Sequence, residues 1–246
     1  MSCALSVTQT VILAAGTGTR LNSATTGIPK PLMPVGGAPL VAHALAHARA
    51  SGCRDAVVVV GHEGERVRSA IETMTAGLRI RFVESPDPTA PNGVSLLAAE
   101  IAADDYFFLQ MSDHLFAGIV LPKLIESPFE DGELGRVLID RSPEGLDLDD
   151  ATKVTLASNR VQAIGKGLHR WDAIDAGCFV LTHGVFDALR RAPRSEPRTV
   201  SSGMRQLALA RTLGAADLGD VEWMDVDTPT DREAAERLLE AVALRL

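Results

Sequence analysis

The run Thr10 to Ala15, apolar from Val11 onward and stopped by Gly16, constrains this chain more than any other stretch. A run this short, ended by glycine, reads as a strand buried on both faces, as in a parallel sheet. Gly16-Thr17-Gly18-Thr19-Arg20 follows directly and opens a Gly-, Thr- and Pro-rich segment that extends to Gly37. Loops of such length inside a compact domain are usually functional. Glycine there lets backbone N–H groups approach an anion without Cβ interference. Arg20 and, ten residues on, Lys30 add the positive charge a triphosphate needs. Two common glycine loops fail the test. A dinucleotide fingerprint requires a small third residue where Leu21 stands, and a P-loop requires lysine where Asn22 stands.

The pattern of alternating elements continues. A helix is expected over 39–51, a buried strand over 56–60, a helix over 65–74, a strand over 78–84, a helix over 94–102 and a strand over 106–111. Alternation of this kind implies right-handed βαβ units. The expected fold is α/β: a Rossmann-like three-layer α/β/α single domain, 1–246, around a central mixed, mostly parallel sheet. Beyond it the pattern predicts strands at 136–140, 151–157, 160–164 and 176–181, and helices at 184–191 and 204–213. Thr228-Pro229-Thr230-Asp231 opens a last helix, with threonine as cap and proline at the first helical position. The segment 142–150 is the expected flexible stretch.

Composition excludes several classes. Of 246 residues, 46% are hydrophobic and 23% charged, which rules out disorder. A net charge of −8 argues against sequence-independent nucleic-acid binding, so any bound anion must be held by a local cluster. No stretch approaches the ~20 apolar residues that span a bilayer, and the first residues lack a secretory pattern, so a cytoplasmic protein that is not membrane-embedded is expected. Cys3, Cys53 and Cys178 form neither a disulfide framework nor a zinc pattern. His43 and His47 lack the glutamate of a zinc helix, since position 44 is Ala44.

The complete arrangement Leu13-Ala14-Ala15-Gly16-Thr17-Gly18-Thr19-Arg20, then Pro29-Lys30-Pro31-Leu32 and Gly36-Gly37-Ala38-Pro39-Leu40, closely resembles the nucleotidylyltransferase superfamily, the sugar-phosphate pyrophosphorylase-like or MobA-like NTP transferases. Asn92-Gly93-Val94-Ser95, Met111-Ser112-Asp113-His114 and Asp225-Val226-Asp227-Thr228-Pro229 fall in the order of one subgroup, the CTP:inositol-1-phosphate cytidylyltransferases, known alone or fused to a membrane synthase of di-myo-inositol phosphate. The resemblance implies transfer of CMP from CTP, or another NTP, to a phosphorylated alcohol. Leu13 to Thr19, Glu84, Asn92 and Gly93 are the implied nucleotide-binding positions, with Arg20, Lys30 and Lys166 catalytic. Ser112, His114, Lys166, Asp175 and Gly177 are the implied acceptor-binding positions.

Asp113, just past the fourth strand, and Asp227, just before the last helix, are the implied holders of Mg2+, an ion that takes few protein ligands and keeps phosphate and water oxygens. Asp225 stands close enough to substitute. Related acceptors are a sugar 1-phosphate, phosphocholine and aminoethylphosphonate, and a non-catalytic nucleotide-sensing subunit is the reading from another class. The product's expected user is a separate membrane CDP-alcohol phosphotransferase, and a homodimer is admitted.

Overall fold

The computed structural model describes residues 5–18, 27–74, 77–143 and 146–243. Thr19, Arg20 and Cys3 lie outside these residues. Nine strands form one sheet. In spatial order they are β5 (Arg79–Glu84), β4 (Asp55–Val60), β1 (Gln9–Ala14), β6 (Tyr106–Met111), β11 (Ala173–Thr182), β8 (Gly135–Asp140), β12 (Leu213–Asp217), β10 (Arg160–Gly165) and β9 (Lys153–Ala157). The first four are mutually parallel. β11 runs against both β6 and β8, β12 runs with β8, and β10 runs against β12 and β9. Only β11 and β10 are therefore reversed, and seven of the nine strands share one direction.

Side-chain alternation along the central strands explains why both faces are covered. Val11 and Leu13 of β1, with Val57 and Val59 of β4, enter the core beneath α3 (Asn92–Ala98), α4 (Gly184–Arg191) and α5 (Val200–Leu209). Ile12, Ala14, Val58 and Val60 point the other way. They pack under α1 (Leu40–Ala50) and α2 (Gly64–Glu72). Every residue of β1 is buried, as expected of a strand sandwiched between two helical layers.

Several expectations need correction. The segment 16–37 contains a 3₁₀ turn at Lys30–Leu32 and leads into a small hairpin of β2 (Pro34–Val35) and β3 (Ala38–Pro39), which Gly36 and Gly37 turn at positive φ. The helix expected over 204–213 is Val200–Leu209, because the Thr199 hydroxyl caps it by accepting the Ser202 N–H at 3.0 Å. Arg211, at φ 59°, ends that turn, and the following residues pair as β12. Two short strands, β7 (His114–Phe116) and β13 (Trp223–Asp225), form a separate antiparallel ribbon that periodicity did not indicate.

α6 (Pro229–Ala243) starts where the Thr-Pro-Thr-Asp signal placed it. Among the described residues no helix is long and apolar enough to cross a membrane.

Candidate active site

Chain order reverses at β1: β4 and β5 lie on one side of it, β6 on the other. An open α/β sheet forms its ligand crevice at such a switch point, outside the carboxyl ends of the strands. The loops that leave β1 and β6 meet here, joined by the Ser112 N–H donating to the Leu13 carbonyl at 3.2 Å. They open into a cleft of about 1070 Å³ lined by Gly16, Thr17, Gly18, Lys30, Ser112, Asp113 and residues from the opposite side.

The two glycines of the loop do different work. Gly18 has φ +60° and a Cβ there would lie 2.5 Å from Lys30 Cβ, so it lets the loop lie directly over the lysine stem. Gly16 has no positive φ and faces open space. Nothing in the fold demands a glycine at 16, and the bare backbone there suits close approach by a ligand.

Lys30 is 9% exposed. Its ammonium pairs with Asp113 Oδ2 and, at 2.5 Å, with Asp227 Oδ1. Burial alone lowers a lysine's pKa, but the two carboxylates outweigh it and the net shift is upward. Burial likewise opposes ionisation of Asp113, yet Lys30 and the ring of His114 hold its carboxyl well below the usual range. The ribbon brings these groups together. His114 pairs with Asp225, and the Val226 N–H donates to the Asp113 carbonyl at 3.0 Å. Asp227 is then set by a reciprocal cap at the start of α6. Asp231 Oδ2 accepts the N–H groups of Asp227 and Thr228 at 3.0 and 2.7 Å, and Thr228 Oγ1 accepts the Asp231 N–H at 3.2 Å.

His114 Nδ1 lies 2.9 Å from Asp113 Oδ1, and its ring stacks on Trp223 at 5.6 Å. Trp223 is anchored in turn by its indole N–H, which donates to Asp140 Oδ2 at 2.8 Å. Gly177, φ +73°, also lies against the His114 ring, where a Cβ would meet it at 2.3 Å. Gly177 sits in a bulge of β11: four steps from Asp175 to Phe179 oppose two on β8, from Ile139 to Val137. The bulge turns Asp175 toward the cleft, where Oδ1 accepts the Gly177 N–H at 2.8 Å. Burial pushes the Asp175 carboxyl up to about 6, against the opposing pull of Gly177 N–H and His114.

Lys166 follows β10 on the far rim of the cleft, exposed and ion-paired with Asp150. Asn92 lines the cleft too, but its Oδ1 already accepts the Val200 N–H at 2.9 Å, leaving its amide nitrogen for a ligand. Gly93 serves the fold, since a Cβ would strike the Arg198 carbonyl oxygen at 2.5 Å. Glu84 is exposed at the end of β5 and is not among the cleft-lining residues. That part of the wall is instead made by Pro88, Thr89, Ala90 and Ser95, which the sequence reading missed. It also missed Arg205, which lines the cleft from α5 and pairs with Glu196 at 2.5 Å, and Trp223. A tryptophan two residues before an Asp-Val-Asp run was a usable signal for the latter.

Eight acidic side chains line the cleft against three basic ones, Lys30, Lys166 and Arg205, among the described residues. Such a surface repels a triphosphate unless a further cation is bound. Asp113 Oδ2 and Asp227 Oδ1 already converge on one cationic point. No group of three or more His, Cys, Asp or Glu among the described residues is arranged to hold a metal. Two hard oxygen ligands with room for phosphate fit Mg2+ and suit neither zinc nor calcium.

A cleft of this kind, at the switch point of a Rossmann-like sheet, marks an α/β protein that handles phosphates. The chain belongs to the MobA-like NTP transferase family, whose domain matches residues 10–134. It is 36% identical over 93% of its length to a bifunctional IPC transferase and DIPP synthase of Rubrobacter xylanophilus, of which it covers 51%. It is 32% identical over 93% of its length to a CMP-5'-(3-aminopropyl)phosphonate synthase of Streptomyces rubellomurinus, covering 38% of that protein. The chain thus spans about half or less of the length of these two relatives. In fold it is similar to the inositol-1-phosphate CTP transferase of T. maritima, with TM-score 0.85, 24% identity and 98% of both chains covered.

Proposed function

We propose that this chain works as one nucleotidylyltransferase domain that transfers CMP from CTP to inositol 1-phosphate, with Mg2+, giving CDP-inositol and pyrophosphate. The observation that carries the reading is the convergence of Lys30, Asp113 and Asp227 beside the glycine loop, in a cleft whose opposite wall presents Asp175 and Lys166. The acceptor comes from the subgroup resemblance of the Met111-Ser112-Asp113-His114 block, and the R. xylanophilus relative, by name an IPC transferase and DIPP synthase, favours it.

The chain's own groups account for the chemistry. Backbone amides of Gly16 to Gly18 receive the triphosphate, and Asn92 with the 88–90 turn forms the wall beside the base. Lys30 and, by family resemblance, Arg20 neutralise charge at the phosphates. Lys166 meets the acceptor's phosphate, while Asp175, Gly177 and Ser112 face its ring. A phosphate oxygen of the acceptor attacks the α-phosphorus, a new P–O bond forms, the α–β anhydride bond breaks, and pyrophosphate leaves with both electrons. The acceptor phosphate is already ionised near neutral pH, so no general base is needed; orientation and charge stabilisation lower the barrier. Asp113 and Asp227 would hold Mg2+, which when bound would supply further neutralisation of the phosphate oxygens. The product then suits a membrane phosphotransferase of CDP-alcohols.

The deciding experiment is a matrix of four nucleoside triphosphates against phosphorylated acceptors, read by pyrophosphate release. CTP with inositol 1-phosphate is expected to give the highest kcat/KM. A site that hydrogen-bonds hydroxyls can reject an analogue lacking them by up to ~10⁴–10⁵, so phosphocholine should be a very poor acceptor. The S. rubellomurinus relative favours a second reading, an aminoalkylphosphonate acceptor, and that column of the matrix tests it. Absence of pyrophosphate release from every pair would defeat both.

A further inference from the structure

Lys30 is assigned above to the phosphates, yet the partners the structure gives its ammonium are two carboxylates. Its ammonium pairs with Asp113 Oδ2 and with Asp227 Oδ1 together. These are the two oxygens assigned above to the metal. We propose that Lys30 and the divalent cation compete for one position. Lys30 acts as a tethered cation that keeps Asp113 and Asp227 together, and it yields them when metal arrives with the nucleotide. The proposal rests on the metal reading given above.

Three features support an exchange over a permanent ion pair. First, the stem of Lys30 is fixed by the fold, while its head is held by the two carboxylates themselves. The backbone is fixed in the 3₁₀ turn, where the Met33 N–H donates to the Lys30 carbonyl at 3.0 Å, and Gly18 packs on Cβ, Cγ and Cδ. Second, the same glycine belongs to the loop that receives phosphates, so a triphosphate oxygen and the carboxylates lie within the sweep of one ammonium. Third, the charges fit. One ammonium leaves the two carboxylates with a net negative charge, whereas a divalent cation cancels them and frees the lysine for the added phosphate charge. Asp225 and the other acids of the cleft strengthen the demand for a cation at this point.

Competition has a signature that a plain phosphate-binding lysine lacks. Removing Lys30 should lower turnover yet raise the affinity of the protein for metal alone. It should also weaken the coupling by which metal and nucleotide assist each other's binding, because coupling between two ligands is reciprocal.

The test is Mn2+ binding to the full chain, followed by electron paramagnetic resonance of free Mn2+, for wild type, Lys30→Met, Lys30→Gln and Lys30→Met/Asp113→Asn. Without nucleotide, both single variants are expected to bind Mn2+ about tenfold or more tightly than wild type, and the double variant should lose the gain. Equal or weaker Mn2+ binding by the single variants overturns the competition. The arm with CTP, in which binding is the loss of free Mn2+ beyond that caused by the same concentration of CTP alone, separates this from the metal reading. If wild type binds Mn2+ with CTP and Asp113→Asn does not, the metal assignment stands whatever Lys30 does. If Asp113→Asn still binds Mn2+ with CTP, the assignment falls and the proposal with it. Should neither single variant fold, the wild-type lysine ¹⁵Nζ resonance decides: it is expected to move when Mg2+ and CTP are added together, and an unmoved Lys30 signal overturns the exchange.

Discussion

On one wall of the cleft the ligand-facing residues leave neighbouring parallel strands: Gly16 to Gly18 follow β1, and Ser112 and Asp113 follow β6. On the other wall Lys166 follows the reversed strand β10, Asp175 belongs to the reversed strand β11, and Asp227 hangs from the β13 ribbon. The parallel side is regular, and its loops open at the crevice because all four strands end there. The other side depends on irregularity. A bulge bends β11, its first residues pair with β9 through Ala173 and Ile174, and five strands thereby close into a ring at that corner. On the proposed reading, the nucleotide meets chiefly the regular wall, and the acceptor meets the wall whose shape a few residues can alter.

The sharpest way to break this comparison is to remove a charge from the regular wall. Asp113→Ala or Lys30→Ala is expected to lower turnover by roughly 10²–10³, the usual cost of losing one preorganised electrostatic group. Steady-state pyrophosphate release measures it, and near-wild-type turnover would show that the lysine–carboxylate cluster is not catalytic.

A pair of glycine substitutions compares the walls directly. Gly177→Ala forces a side chain into φ +73° and against the His114 ring. It should cost on the order of 1–3 kcal/mol of stability and raise KM for the acceptor more than for CTP. Gly16→Ala meets nothing within 4 Å, so it should leave stability near wild type and raise KM for CTP. Thermal melts with KM values for both substrates read the outcome; the reverse pattern would invert the assignment of walls.

Asp175→Asn refines the acceptor side. Burial raises this carboxyl from its ordinary 3.8 to about 6, so the folded protein binds the proton more tightly than the unfolded chain. The contribution of this one group to stability is therefore greatest below pH 4, falls as pH rises through about 6, and stays reduced above it. The asparagine variant escapes that cost. It is expected to be more stable than wild type at pH 8, by on the order of 1–3 kcal/mol, with the difference gone below pH 4, and to use its acceptor less well. A pH-independent difference would place Asp175 elsewhere.

The smallest effect concerns the cap behind Asp227. Asp231→Ala should cost about 1 kcal/mol of stability and raise the Mg2+ concentration for half-maximal activity, while Asp231→Glu, which can also close the box, restores both. An unchanged Mg2+ requirement in the alanine variant would confine Asp231 to helix capping.

Much of the regular wall was legible in the chain. A buried run ended by glycine located β1 and its loop, and an apolar run ended at Met111 placed Asp113 just past β6. The Thr-Pro-Thr-Asp signal placed the start of α6. The errors fall where local pattern is silent or contested. β7 and β13 have three residues each, too few for alternation to register. Glu84 was assigned by family resemblance alone, and its exposed position at the end of β5 is not among the residues lining the cleft. Residues 204–213 have helical composition, yet the Thr199 cap starts the helix earlier and Leu213 is drawn into the sheet by pairing with Gly135.

The sequence by itself determined the alternation of strands and helices, the glycine loop with its lysine, and the caps, because each depends on residues within a few positions of one another. The tertiary structure alone decided that Lys30 meets Asp113, 83 residues away, and Asp227, 197 residues away. It alone bent β11 so that Asp175 faces the same cleft. Separation along a chain carries no information about which segments pair. The register of β13 on β7, set by the burial of Leu115 and Val226 in one small core, is what brings these charges to one point.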